Sequence, residues 1–433
     1  MYAQQPLTLE ACRDLAIHNN KELRIAAEKT KIAEYEKKAA FTKYFPEVSA
    51  TGVYMWNEKD LQLVDPTSLG AIGQLVPNLG ELFHLDIQNI WVGGVTLMQP
   101  VFMGGKIVNY NQITSYAREL AESMHDTKLQ EIIYQTDQSY WQVISLVNKQ
   151  KLADAYVQLL QKMDRDVDEM ISEGVATRAD GLSVKVKLNE AEMVKNKVEN
   201  GLALSRMLLS QLCGLSLDAP LSLADEHIEI ELVTVNDIPA NVNEAFLNRP
   251  ELRSLDLATK IYKKKENIEL ANLLPTVALS ASYLTTNPSA NNDFKNEFNG
   301  MFHVGLLASV PLSGWWEGTH KRNSARAETI IRKLEFEDTR EKIELQVNQS
   351  LYQVNEAHKR LAASTRNMES AEENLRHANI GFEEGIIPAL NLMEAQTAWL
   401  SAHSELIDAQ IEVKLTKVYL TKALGKLTLG EPK

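Results

Sequence analysis

Two hydrophobic periods alternate along this chain. Val347, Val354, Leu361, Met368 and Leu375 recur at intervals of seven, with Leu351 four residues after the first. A sustained seven-residue repeat keeps one apolar stripe facing a neighbour on slightly underwound helices, so it predicts a left-handed coiled coil or a barrel of helices. From Lys106 to Ser172 there is neither proline nor glycine, and Ala, Glu, Gln, Lys and Leu are frequent. That stretch predicts a single helix of about 100 Å at 1.5 Å per residue. Elsewhere the period is two: Val277, Leu279, Ala281 and Tyr283 alternate with Thr276, Ala278, Ser280 and Ser282, and Phe302, Val304, Leu306, Ala308 and Val310 alternate with His303, Gly305, Leu307 and Ser309. These segments read as strands with one apolar face and one small or polar face.

The two patterns are laid down twice. Residues 16–54 align without a gap to residues 245–283, an offset of 229, with 11 identities in 39 positions that include Asn19/Asn248, Glu22-Leu23-Arg24/Glu251-Leu252-Arg253, Pro46/Pro275 and Tyr54/Tyr283. Roughly two or three would arise by chance at average residue usage. Further on the offset is 211, matching Pro100 to Pro311, Glu173-Gly174 to Glu384-Gly385 and Gly214 to Gly425. The chain is therefore a tandem duplication, with repeats over 1–220 and 221–433. The first carries 18 extra residues, the difference of the two offsets, placed in the segment Leu61 to Leu85, whose Pro, Gly, Asn and Asp content predicts an enlarged hairpin loop. Proline is absent between Pro100 and Pro220 and between Pro311 and Pro388, so long helices belong in those windows. The strands belong before them, at about 47–56 and 90–99, and at about 276–284 and 302–310.

Strands of nine to eleven residues have the length needed to cross a bilayer at a tilt. Aromatic residues gather at their ends, at Tyr44, Phe45, Trp56, Trp91, Phe102, Trp315 and Trp316, as in the girdles of membrane barrels. The same set could line an antiparallel sandwich. Four strands cannot close a barrel, and an open edge in lipid leaves backbone groups unpaired at several kcal/mol each. Membrane insertion would thus require oligomerisation. Three chains would give twelve strands and room for a passage, whereas the eight strands of a dimer would be filled by side chains.

Composition narrows the field. With 44% hydrophobic and 24% charged residues the chain is of globular type, and a formal net charge of −13 disfavours a nucleic-acid partner. No stretch reaches the roughly 20 apolar residues of a membrane helix. No signal peptide opens the chain, and the polar start Met1-Tyr-Ala-Gln-Gln-Pro6 is what a removed signal would leave. Cys12 and Cys213 lack metal-type spacing and are expected to be buried free thiols. No phosphate-binding glycine loop, zinc-protease motif, nucleophile elbow or cluster of His and Cys is present, so neither a catalytic centre, a metal nor a cofactor is expected.

The order helix, two strands, long helix, Glu-Gly turn and returning helix, twice over, resembles the outer-membrane efflux protein family, whose best-known member is TolC. The residues that carry the resemblance run from about Leu7 to Gly425. They are Leu7-Thr-Leu-Glu-Ala-Cys-Arg-Asp-Leu-Ala16 with Asn19-Asn20-Lys-Glu-Leu23, Tyr44-Phe-Pro46, Gln99-Pro-Val-Phe-Met-Gly-Gly105, Glu173-Gly-Val-Ala-Thr-Arg-Ala-Asp180 and Glu384-Gly-Ile-Ile-Pro-Ala-Leu-Asn391. The resemblance implies a mainly α fold with a β-barrel portion: a trimeric twelve-stranded outer-membrane β-barrel continuous with a periplasmic α-helical barrel in a Gram-negative bacterium. It implies a passive exit duct in contact with outer-membrane lipid, served by a periplasmic adaptor and an inner-membrane pump, and not an enzyme. The periplasmic tips would lie at about 173–180 and 384–391, with Gly174, Val175, Ala176, Thr177, Gly385, Ile386 and Ile387 as adaptor-docking positions and Val175, Ala176, Ile386 and Ile387 expected as exposed apolar knobs. Both glycines also suit helix C-caps. Counting from the tip glycine, the family's gate carboxylates fall on Asn391 and Glu394 and their first-tip partner on Asp180. The family's basic gate residue falls near Ile387, where no base stands. A ring of Glu394 would favour cations, although the same residue also suits a solvated helix face. A coiled-coil scaffold or adaptor outside the membrane is the competing reading from the residues alone.

Overall fold

The computed structural model describes residues 6–62, 84–227, 241–292 and 294–427. Helices α1 (Leu9–Asn19) and α2 (Lys21–Phe41) lead into strand β1 (Glu47–Trp56), a short ribbon of β2 (Leu61–Gln62) and β3 (His84–Leu85), and strand β4 (Asn89–Phe102). Helices α3 (Lys106–Ser172) and α4 (Arg178–Leu212) follow. The order then recurs with α5 (Val242–Asn248), α6 (Pro250–Ala271), β5 (Thr276–Asn287), β6 (Asn299–Ser309), α7 (Gly314–Glu383) and α8 (Ala389–Ala423). The expected loop insertion is thus a hairpin extended by β2 and β3, and its residues 63–83 lie outside the described residues.

Two compact units result: Met1–Lys31, Leu120–Asp256 and Leu334–Lys433 form one, and Ile32–Glu119 with Leu257–Lys333 form the other. Each draws on both halves of the sequence, and the divisions fall inside α2, α3, α6 and α7.

The second unit holds one antiparallel sheet of four strands in the order β1-β4-β5-β6. Its register keeps like faces together. Tyr54 sits opposite Trp91, Ala50 opposite Val95, Val95 opposite Tyr283, Leu97 opposite Ala281, Tyr283 opposite Phe302 and Leu279 opposite Leu306. Because side chains alternate with period two, these pairs make one apolar face, rimmed by Tyr54, Trp56, Trp91, Tyr283 and Phe302. The opposite face is mixed: Ser49, Thr51, Thr96, Ser280, Ser282, His303 and Ser309 share it with Val53, Met55, Leu284, Met301 and Leu307. Two glycines let the strands approach: a Cβ on Gly94 would meet the Tyr283 carbonyl oxygen at 2.7 Å, and one on Gly300 would meet the Tyr283 ring. Leu306 and Phe302 are 73% and 66% exposed in the protomer. For a water-facing surface such a patch is costly; for a lipid-facing one it is the requirement. The aromatic pair Trp315 and Trp316, expected at a strand end, instead stands in the first turn of α7.

In the helical unit, α7 and α8 zip antiparallel along the seven-residue stripe. Val347 is buried with Leu420 and Ala423, Leu361 with Ala409 and Val413, Met368 with Ala402, and Phe382 with Ala389. Val354 and Leu375 pack at the margins of the same clusters. On α3 and α4, Tyr140, Val143 and Ile144 pack with Leu202 and Leu209, and Leu160, Met163 and Val167 with Val184 and Ala191. No helix among the described residues is long and apolar enough to cross a membrane.

Candidate functional site

Each helical hairpin turns through the same glycine-centred device. At the end of α3, Gly174 takes φ +77°, its N–H donates to Ile171 O at 3.1 Å, and the Val175 N–H donates to Met170 O at 2.9 Å. At the end of α7, Gly385 takes φ +70°, donates to Phe382 O at 3.0 Å, and the Ile386 N–H reaches Gly381 O at 2.8 Å. Both are Schellman ends, in which a left-handed residue lets its own amide and the next one satisfy carbonyls left open by the helix. A Cβ at either glycine would meet nothing within 4 Å, so backbone conformation alone demands glycine.

The turns present one large apolar side chain each. Val175 is 70% exposed and Ile386 77%. Ala176 and Ile387, expected as exposed knobs, are half-buried. Ile387 packs against the core that joins Phe382, Leu392 and Met393, and a Cβ on Gly381 would meet its side chain at 3.4 Å. The reason is geometric: the two residues after a Schellman glycine point to opposite sides, and the second must turn inward to start the next helix.

The starts of the returning helices differ. Thr177 caps α4: its hydroxyl oxygen accepts from the Asp180 N–H at 3.2 Å, while Asp180 Oδ2 accepts from the Thr177 N–H at 2.9 Å and from its hydroxyl at 2.6 Å. These bonds, that from the Thr177 hydroxyl first, hold the Asp180 carboxyl below the usual carboxylate range. In α8 the corresponding cap is Pro388, which makes no side-chain cap bond. Asn391, the repeat counterpart of Asp180, follows it and is exposed. Asp180 is therefore occupied by a local capping box, and Asn391 has no equivalent task.

Glu394 lies one turn further along α8, exposed, in a cleft of about 530 Å³ between α4 and α8 lined by Ser183, Lys187, Met393 and Thr397 among others. Asp180 and Asn391 are not among its lining residues. Ser183 and Lys187 were not singled out by sequence reasoning, yet the repeat points to them: subtracting the offset of 211 maps Glu394 onto Ser183 and Ala398 onto Lys187. The cleft thus joins equivalent turns of the two repeats, with a carboxylate from one and an ammonium from the other. Lys187 Nζ bonds Glu190 on its own helix at 3.1 Å. No group of three or more His, Cys, Asp or Glu able to hold a metal occurs among the described residues.

One amphipathic four-stranded sheet and two long helical hairpins in a single protomer define the class: a channel of the outer-membrane type, with β-barrel and α-helical barrel portions. The chain from the Campylobacter jejuni outer membrane channel CmeC superposes with a TM-score of 0.82, covering 96% of this chain and 85% of that one at 14% identity. The outer membrane protein VceC of Vibrio cholerae gives 0.78 over 96% of both chains at 16% identity. By sequence, the chain is 22% identical over 335 residues to the alkaline protease secretion protein AprF of Pseudomonas aeruginosa, covering 74% of this chain and 67% of that protein. The protein belongs to the outer membrane efflux protein family, which it matches over residues 12–215 and 241–426. Its place is the outer membrane of a Gram-negative bacterium, with a helical portion in the periplasm.

Proposed function

We propose that three copies of this chain form a passive exit duct of a tripartite efflux or secretion system. The observation that carries it is the apolar face that runs in register across all four strands. That face suits a sheet bathed in lipid on one side and water on the other, and a sheet ending in β1 and β6 satisfies its edges in lipid only by pairing β6 of one protomer with β1 of the next. Three protomers then give twelve strands around a passage. The repeats 1–220 and 221–433 each contribute one strand pair and one helical hairpin. A periplasmic adaptor docks on the tips through Gly174, Val175, Ala176 and Thr177, and through Gly385, Ile386 and Ile387; Val175 and Ile386 supply the exposed apolar anchors. An inner-membrane pump supplies the energy.

Glu394, with Asn391 and Asp180 nearby in the sequence of the two tips, forms the gate region of this reading. Lys187 in the same cleft supplies a base where Ile387 cannot. The first test is the mass of the purified protein in detergent with the detergent contribution subtracted, followed by conductance in a planar bilayer. A detergent-bound species of three times 48.6 kDa that conducts supports the duct; a detergent-free, non-conducting species would favour a coiled-coil scaffold. In the conducting trimer, Glu394→Gln lowers the preference for cations in single-channel recordings. Unchanged selectivity removes Glu394 from the gate.

A further inference from the structure

Cys12 on α1 and Cys213, which caps the C-terminus of α4, are both fully buried although 201 residues separate them. The Cys213 Sγ donates to the Cys12 carbonyl oxygen at 3.6 Å, so the two buried cysteines are neighbours in the fold. The surrounding backbone is pinned on both sides. The side-chain amides of Asn19 and Asn20 donate to the carbonyls of Cys213 and Leu212 at 3.3 and 3.4 Å. Leu7 exchanges backbone bonds with Ser222 and Ala224, each of 2.9 Å.

The duplication supplies an internal comparison. Gly214 and Gly425 both take positive φ, and a Cβ on either would strike the matched segment, at Asn19 in the first repeat and Asn248 in the second. The junction is therefore built alike twice. Yet the counterparts of Cys12 and Cys213 at offsets of 229 and 211 are Asn241 and Leu424. Leu424 is buried as Cys213 is, whereas Asn241 is the exposed N-cap of α5, so the first repeat alone buries two cysteines side by side here. The helical portion stands in the periplasm, an oxidising compartment in which paired cysteines become bridged.

We propose that Cys12 and Cys213 are joined by a disulfide in the exported protein, stapling the N-terminal helix to the end of α4. The oxidant is a protein disulfide of a periplasmic thiol oxidase. One cysteine thiolate attacks it and forms a mixed disulfide, releasing one oxidase thiol; the second attacks that bond, the Sγ–Sγ bond forms, and the two electrons and two protons lost by the cysteines leave with the oxidase as a dithiol. The transfer precedes closure of α1 onto α4, because both sulfurs are sealed in the folded chain. Both cysteines are fully buried there, so a chain that folded reduced would hold the pair out of the oxidase's reach.

The test is made on the full chain, exported through a cleavable signal in Gram-negative hosts with and without their periplasmic thiol oxidase, acid-quenched and then denatured in an alkylating maleimide. The expected result in the oxidase-bearing host is no alkylated cysteine, a peptide joining Cys12 to Cys213 in the mass spectrum, and faster migration in non-reducing denaturing electrophoresis that reductant abolishes. Reductant should also lower the thermal midpoint of the wild-type trimer and leave that of Cys12→Ser/Cys213→Ser unchanged. Two alkylated thiols in the folded trimer from that host would overturn the proposal, as would a sulfur bonded to another chain or to a small thiol. The outcome depends on the periplasmic location and not on conduction.

Discussion

At the scale of single residues, the most consequential polar contact joins α1 to α3. Arg13 grips Asp137 through two bonds of 2.7 and 2.6 Å, and the Asp137 side chain has no exposure. Burial raises the Asp137 carboxyl, and the bond and charge of Arg13 pull it partly back. Removing only the guanidinium leaves a buried, uncompensated carboxylate. Arg13→Met is therefore expected to destabilise the helical unit by about 3–5 kcal/mol, while Arg13→Met with Asp137→Leu recovers most of the loss. Thermal unfolding of both variants checks this. His403 on α8 is a second case. It is half-buried beside Trp399, and its Nδ1 has no hydrogen-bond partner among the described residues. Burial lowers its pKa below 6.5, with Glu372 opposing weakly. A base whose folded pKa is depressed is neutral in the fold, so the unfolded chain binds the proton first. Its contribution is complete above pH 6.5 and is lost as the pH falls from there through the folded value. The thermal midpoint should drop as the pH falls below about 6.5, and the drop should be smaller in His403→Gln.

At the scale of elements, glycine serves two different needs. Gly174 and Gly385 stand in open space and only the left-handed backbone requires them, so Gly174→Ala should cost about 1–2 kcal/mol. At Gly214 the same backbone conformation is combined with a Cβ that would sit 2.4 Å from the Asn19 Cβ. Gly214→Ala must push α1 away from α4 and should lower the thermal midpoint several times further than Gly174→Ala; equal effects would mean that α1 is loosely held. The same elements show what was legible beforehand. The helix over 106–172 and the strand over 47–56 are marked by composition and period, which are local properties. The strand expected over about 90–99 runs on to Phe102 as β4, with a register shift between Pro100 and Phe102, where the proline cannot donate to the ladder. The Thr177–Asp180 capping box is local too and could be read from the sequence, but the half-burial of Ile387 and the approach of Lys187 to the Glu394 cleft depend on how helices meet. No single stretch of sequence carries that information, although the repeat offset does connect Ser183 with Glu394.

At the scale of the whole molecule, the question is which face of the sheet meets lipid. His303 and Val304 are adjacent on β6 and point to opposite faces: Val304 pairs with Ala281 on the apolar side, His303 with Ser282 on the polar side. If the apolar side faces lipid, a lysine there must be desolvated or must thin the bilayer around it. Val304→Lys should then weaken insertion by about 2–4 kcal/mol near the midplane, falling to about 0–1 towards the interfaces. His303→Lys, one residue away, should insert normally and alter only the conductance, because its side chain enters water. Heat-modifiable mobility of membrane-extracted protein separates the two, since a closed trimeric barrel resists dissociation and an uninserted chain does not. Equal loss in both variants would indicate a sheet packed on both faces, as in a sandwich. Equal tolerance would indicate a sheet that never leaves water. Only an asymmetry between neighbouring residues of one strand fits a wall one chain thick with lipid on one side and a passage on the other.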